Sequence, residues 1–359
     1  MLNVKLPVAT VCISGLLCGC VLQADSPPLT QSTPDLSGYY DVATLTPLQR
    51  PRAFGNKHTI SRAEADEIAE TERLLQLAGE KQSDPDREAP PEGGDGSEGA
   101  AGNVGGYNTF WIDRGDDTFE IDGKFRTSII HTPENGRIPG MTAPAQKKLM
   151  ARRASYRTNT GEAWWLQTGT TGPYDDPELR PLGERCLMGF GSSAGPPMLP
   201  VLYNNVKRIV QTPEYVMILV EMVHDARIIR LNSTHAPTSI RSYLGDSIGH
   251  WEGDTLVVDT TNFNARPALY NATASLHVVE RFTRTEGGSL LYSFMVDDPA
   301  VWDAPWGGEY PWPVTDNVVY EYACHEGNYA LGNILRGARL LEADTRAEVR
   351  EEMRTGAGK

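Results

Sequence analysis

Between Tyr107 and Tyr322 the chain is a succession of short apolar runs, each stopped by Gly, Pro, Asn or Asp before it reaches helical length. The runs cover residues 109–113, 119–122, 126–131, 215–223, 226–231, 255–259, 276–283 and 290–296. Several are rich in the β-branched and aromatic residues that suit a pleated, half-buried surface. Asp122-Gly123, Gly253-Asp254 and Gly287-Gly288 fall between such runs, where hairpin turns want residues that tolerate positive φ. Strands that follow one another without intervening helices pair antiparallel. The expected fold is therefore mainly β, an antiparallel β-barrel or sandwich (a lipocalin-like meander) with peripheral helices, rather than α/β. With 35 Gly and 25 Pro among 359 residues, many short elements are favoured over long ones.

Three segments depart from this pattern. Residues 60–82 carry a helical stripe (Ala65, Ile68, Ala69, Leu74, Leu75, Leu77) behind a Ser61–Glu64 capping pair. Residues 143–153, with Pro144 in the first turn, and 331–354 read as two further helices. Residues 83–106 are Asp, Glu, Pro and Gly with almost nothing to bury, which predicts a solvated loop. The division expected is a leader over 1–20, then tether, helix and acidic loop over 21–106, and a β-rich body with its closing helix over 107–359.

The apolar run 8–22 is too short for an ordinary membrane span and suits the core of a signal peptide. It contains Leu17-Cys18-Gly19-Cys20, which looks like a lipobox with Cys20 as the acylated residue; cleavage after Ala24, giving a soluble periplasmic protein, is the rival. Val21 in place of Asp points toward the outer membrane by resemblance to other lipoproteins. The expected location is thus the bacterial cell envelope, in the periplasm on an outer-membrane lipid anchor. Of five cysteines, Cys12 and Cys18 leave with the leader and Cys20 is consumed by acylation. Cys186 and Cys324 then either pair as a disulfide or stay buried and separate. An excess of 47 acidic over 33 basic residues argues against a nucleic-acid partner. The partners expected are a small-molecule ligand and the membrane; the oligomeric state is not legible.

The segments Gly245-Asp246-Ser247 and Trp251-Glu252-Gly253-Asp254-Thr255-Leu256-Val257-Val258-Asp259-Thr260-Thr261-Asn262-Phe263 resemble those of a large family of exported proteins of Acidobacteria and Proteobacteria, for which no function is established. The likeness continues in Arg185-Cys186-Leu187, residues 195–200, residues 277–282 and Tyr322-Ala323-Cys324-His325-Glu326-Gly327-Asn328-Tyr329, spanning roughly residues 105–340. It implies export and a β-rich body, and no mechanism. Many relatives carry Arg where this chain has His250, which makes His250 a poor candidate for obligatory chemistry.

Candidate chemistry clusters in a few places. Glu221, His224, Asp225 and Arg227 converge at a barrel mouth if the chain bends at His224-Asp225. His224 would then act as base, Asp225 or Glu221 would orient it, and Arg227 would hold an anionic group. The alternative is a buried Glu221–Arg227 pair that only stabilises a hairpin. His325 and Glu326 offer a second acid/base pair, with Asn328 and Tyr329 beside them; capping of the last helix by Asn328 is the structural alternative. Adjacent His-Glu spacing does not make a metal site. Trp164, Trp302 and Trp306 either stack on a ligand or fill the core, with residues 302–313 read as a rigid aromatic loop. Gly191-Ser192-Ser193-Ala194-Gly195 matches G-x-S-x-G, but Pro196-Pro197 denies it the helix a nucleophile elbow needs. No nucleotide, dinucleotide or haem motif is present, so no cofactor is expected. These features suggest an exported, cofactor-independent hydrolase, isomerase or lyase for an apolar or aromatic small molecule. The alternative is an envelope lipoprotein that binds a small hydrophobic ligand or glycan for uptake.

Overall fold

A computed structural model describes residues 33–79, 112–154, 161–169, 171–189 and 191–356. The expected leader, the Cys20 anchor and the acidic loop 83–106 lie outside the described residues. The elements are β1 (Gly38–Asp41), β2 (Thr59–Ile60), α1 (Arg62–Gly79), β3 (Glu120–Ile121), β4 (Lys124–Arg126), β5 (Ile130–Thr132) and α2 (Ala143–Ala154). Then follow β6 (Val206–Gln211), β7 (Tyr215–Val220), β8 (Ala226–Leu231), β9 (Asp246–Glu252), β10 (Thr255–Thr261), β11 (His277–Arg284), β12 (Leu290–Asp297), β13 (Trp306–Trp312) and α3 (Tyr329–Thr355).

The fold is mainly β. Ten strands form one curled half-barrel sheet in the order β1-β6-β7-β8-β9-β10-β11-β12-β13-β5, and β2, β4 and β3 make a small second sheet. All pairings in the large sheet are antiparallel except β8 with β9, which run parallel because residues 232–245 cross over between them. The outer edge of β1 is not left bare. The Asp41 amide donates to the Pro313 carbonyl at 3.1 Å and the Thr315 amide to the Tyr39 carbonyl at 3.0 Å, so the curl brings the first strand against the chain just beyond β13.

Period-two burial explains the curl's filling. Val216, Ile218 and Val220 on β7, Val278, Glu280 and Phe282 on β11, and Tyr292, Phe294 and Val296 on β12 all turn inward. Residues 302–313, expected as a loop, are corrected here. Trp306–Trp312 is a full strand whose Trp306, Tyr310 and Trp312 alternate into the core while Pro311 faces away from it. Leu36, Tyr40 and Val42 join the same core, so the segment before α1 is built into the β body.

Local signals account for the helix ends. At α1 the Ser61 amide donates to Glu64 Oε2 at 2.9 Å and the Glu64 amide to Ser61 Oγ at 3.3 Å, a reciprocal capping box. At α3 Asn328 Oδ1 accepts from the Leu331 amide at 3.2 Å. The far side of α3 rests on a small separate cluster of Ala163, Trp165 and Ala338, where the Trp165 indole donates to Glu342 at 2.8 Å.

The most unusual feature is a loop inside the curl. Residues 192–199 are all buried, although a loop brings backbone polar groups that must be satisfied. Inward-pointing side chains of the sheet supply the partners. The Tyr292 hydroxyl oxygen accepts from the Met198 amide at 2.8 Å, Tyr310 donates to the Met198 carbonyl at 2.7 Å, and Lys207 Nζ donates to the Ser193 carbonyl at 2.9 Å. The Gly191–Gly195 motif therefore belongs to an internal plug, with Ser193 1% exposed.

Candidate active site

The mouth of the curl is organised by a covalent tie. Cys186 and Cys324 form a disulfide with Cα atoms 5.7 Å apart, joining segments 138 residues distant in sequence. Hydrogen bonds reinforce it. Asn328 Nδ2 donates to the Glu184 carbonyl at 2.7 Å, and His224 Nδ1 lies 3.2 Å from the Tyr322 carbonyl. The turn 324–328, with His325 and Glu326 exposed, is thereby fastened beside residues 184–189 and the β7–β8 connection.

That connection bends as the alternative at His224-Asp225 requires. Residues Met222–His224 form a single 3₁₀ turn in which Val223 and His224 have φ of 57° and 44°. A β-branched residue rarely enters this left-handed region, and the buried Val223 side chain is what holds it there. The bend separates the four polar side chains instead of gathering them. His224 turns out to solvent. Glu221, 5% exposed, accepts from the Tyr320 amide at 3.3 Å. Arg227 points into the curl, where it meets not Glu221 but Glu280 on β11.

Arg227 is fully engaged there. It donates to Glu280 Oε1 at 2.9 Å and to Glu280 Oε2, to Ser247 Oγ at 3.1 Å and to Thr260 Oγ1 at 2.9 Å, while Tyr292 donates to Glu280 Oε1 at 2.8 Å. With the two side chains 1% and 0% exposed, this is an internal strut between β8 and β11.

Asp225 is placed differently. Its Oδ2 accepts from the Gly189 amide at 2.9 Å, and the residue lines a 370 Å³ pocket with Leu187, Met188, Arg227, Ile228, Leu244 and Ser247. Burial pushes its pKa up, against the opposing pull of the Gly189 amide and the neighbouring His224 and Lys207. Behind this wall the packing is tight: a Cβ on Gly189 would fall 2.3 Å from Ser193 Oγ and 2.7 Å from the Met222 side chain. Comparison with protein-family models, curated proteins and solved structures yields no match. The chemistry of the pocket has to speak for itself.

Deeper in, Lys207 is 0% exposed and donates to the Ser193 carbonyl. Desolvation brings its pKa down to about 7, although Asp41, Asp225 and Glu221 act on it in the opposite sense. Among the described residues no cluster of His, Cys, Asp and Glu is arranged to hold a metal ion.

The remaining expected ligand-binding residues are scattered. Trp302 and Trp306 are 6% and 0% exposed and pack edge-to-face at 5.6 Å in the core. Trp164 stacks with Trp165 near α3, Asn328 caps α3, and Tyr329 is exposed on its first turn. Sequence reasoning did not find Lys207 or the internal loop. A lysine at an inward position of Val206-Lys207-Arg208-Ile209 was the available signal, but alternation alone does not show that a loop waits on the other side.

Proposed function

We propose that this protein is a cofactor-independent enzyme that moves a proton on an apolar or aromatic small molecule, with Asp225 as the acid/base group. One observation carries the reading: a carboxyl whose pKa is raised by burial sits on the wall of a pocket whose neighbouring side chains are largely apolar. A proton-transfer catalyst is most effective when its pKa lies near the working pH, and burial is the usual way to lift a carboxyl toward it. The turn at Val223 and His224 leads into Asp225, and the Gly189 amide anchors one of its carboxyl oxygens. Hydrolysis, isomerisation and elimination all use such a group. Arg227 braces the sheet and lines the same pocket. The same proposal places the protein in the envelope on an acylated Cys20, supported by the apolar run 8–22 and the residues around Cys20.

The test uses purified protein with aryl and alkyl esters, lactones and β-hydroxy carbonyl compounds. Asp225→Asn keeps an oxygen for the Gly189 amide but cannot take the proton. The expected result is a loss of about 10²–10⁴-fold in kcat with ligand binding and melting unchanged. Full turnover by Asp225→Asn would remove the assignment. Binding of an apolar probe in the pocket without turnover of any compound by the wild type would instead favour the carrier reading.

A further inference from the structure

A larger concavity lies on the other side of Met188. It has a volume of about 1070 Å³ and runs between α2, residues 179–191 and residues 265–273. Its apolar walls are aliphatic, with Met141, Leu149, Leu182, Met188, Leu269 and Val301 the principal residues. Among the described lining residues the aromatic ring is that of Tyr270, and the Arg152 guanidinium already covers it at 4.7 Å. Met and Leu side chains adapt readily to an alkyl chain.

The charged groups are all of one sign. Lys148, Arg152, Arg180 and Arg266 line the groove, and no described Asp or Glu does, in a chain where acids outnumber bases by 47 to 33. Arg180 is committed to Glu184 at 2.9 Å and serves as wall. Arg152 is held in place by Tyr270 and by Asn271 Oδ1 at 2.9 Å. Lys148 and Arg266 are exposed and have no carboxylate partner among the described residues. An aliphatic trough with uncompensated cations on its rim is complementary to one kind of small molecule, an alkyl chain ending in an anion.

We infer that this groove binds a free long-chain carboxylate, its tail along Met141, Leu149 and Leu269 and its head between Lys148 and Arg266. The site is separate from the Asp225 pocket and stands whether or not that pocket is catalytic. Its volume lies just above the usual range of small-molecule sites, about 300–1,000 Å³, which suits a chain longer than a short organic acid.

Isothermal titration of the full folded protein with dodecanoate, below its micelle concentration, tests the inference. Saturable binding is expected, weakened by salt. The double variant Lys148→Glu, Arg266→Glu changes two exposed side chains and should weaken it about tenfold or more. Ala265→Trp, also at an exposed lining position, should obstruct the groove without disturbing the core. Asp225→Asn should bind dodecanoate normally, which separates this result from the fate of the pocket. Equal binding of dodecanol or dodecyltrimethylammonium, or dodecanoate affinity unaltered by the double charge reversal, would overturn the inference. So would the absence of dodecanoate binding to the wild type.

Discussion

Replacing Glu280 by Leu should be among the most damaging single changes in this protein. It leaves the Arg227 guanidinium, 1% exposed, without its counter-charge and without two of its hydrogen bonds, and leaves the Tyr292 hydroxyl without its acceptor. Stranding one member of a buried ion pair costs about 3–5 kcal/mol. A buried hydroxyl whose proton has lost its acceptor adds about 1–3 kcal/mol. Against a typical total of about 5–15 kcal/mol, Glu280→Leu should retain only a small part of the native stability. The double variant Arg227→Met, Glu280→Leu removes both charges, and Ser247 Oγ and Thr260 Oγ1 stay hydrogen-bonded to each other at 2.9 Å. It still leaves the Tyr292 hydroxyl proton without its acceptor, so it should lie about 1–3 kcal/mol below wild type, apolar replacement of a whole buried pair being by itself often nearly neutral. Urea unfolding followed by tryptophan fluorescence gives the four corners of the double-mutant cycle, with a coupling energy expected at several kcal/mol. A loss below about 1.5 kcal/mol for Glu280→Leu, or no coupling, would show that the pair is not the sealed strut described here.

The outer face of the sheet carries a chain of alternating groups: His277 Nε2 lies 2.8 Å from Asp259 Oδ2, His235 bridges Asp259 at 2.8 Å to Asp246 at 3.0 Å. The hydrogen bond that His277 donates to Asp259 raises the His277 pKa, and the same bond lowers that of Asp259. Stability from this pair should therefore grow as pH rises through the ordinary carboxylate range and decline again above about 6.5 as His277 loses its proton. Thermal melting from pH 4 to 9 should show His277→Gln flattening the alkaline limb by less than about 1 kcal/mol, because the pair is partly exposed; an alkaline limb that rises would contradict it. Reduction of Cys186–Cys324, which closes a 138-residue separation, should cost on the order of 4–5 kcal/mol in the chain-entropy model, read as a lower urea midpoint in Cys186→Ser. Gly307→Ala should lose about 1–3 kcal/mol or more, since its Cβ would fall 2.4 Å from the Phe294 carbonyl oxygen; wild-type melting would mean that β12 and β13 sit farther apart.

Much of the architecture is written locally. The alternation of Tyr215–Val220 and Ala226–Leu231, the turns at Asp122-Gly123 and Gly287-Gly288, the Ser61–Glu64 box and the Asn328 cap each depend on residues within a few positions, so the sequence alone specifies strands, turns and helix ends. Counting cysteines narrowed the disulfide to one pair, and tertiary proximity at 5.7 Å decided that the pair forms. What the chain could not declare was which polar residue meets which. Arg227 and Glu280 are 53 residues apart, and their union depends on the curl bringing β8 opposite β11. The same curl turned the aromatic segment after Trp302 into a core strand and closed around residues 192–199. It also left Asp225 and Arg227, but not Glu221 or His224, among the residues that line a pocket. Local chemistry sets which conformations a segment favours within a few residues. Burial and charge pairing are settled between segments that only the folded sheet makes neighbours.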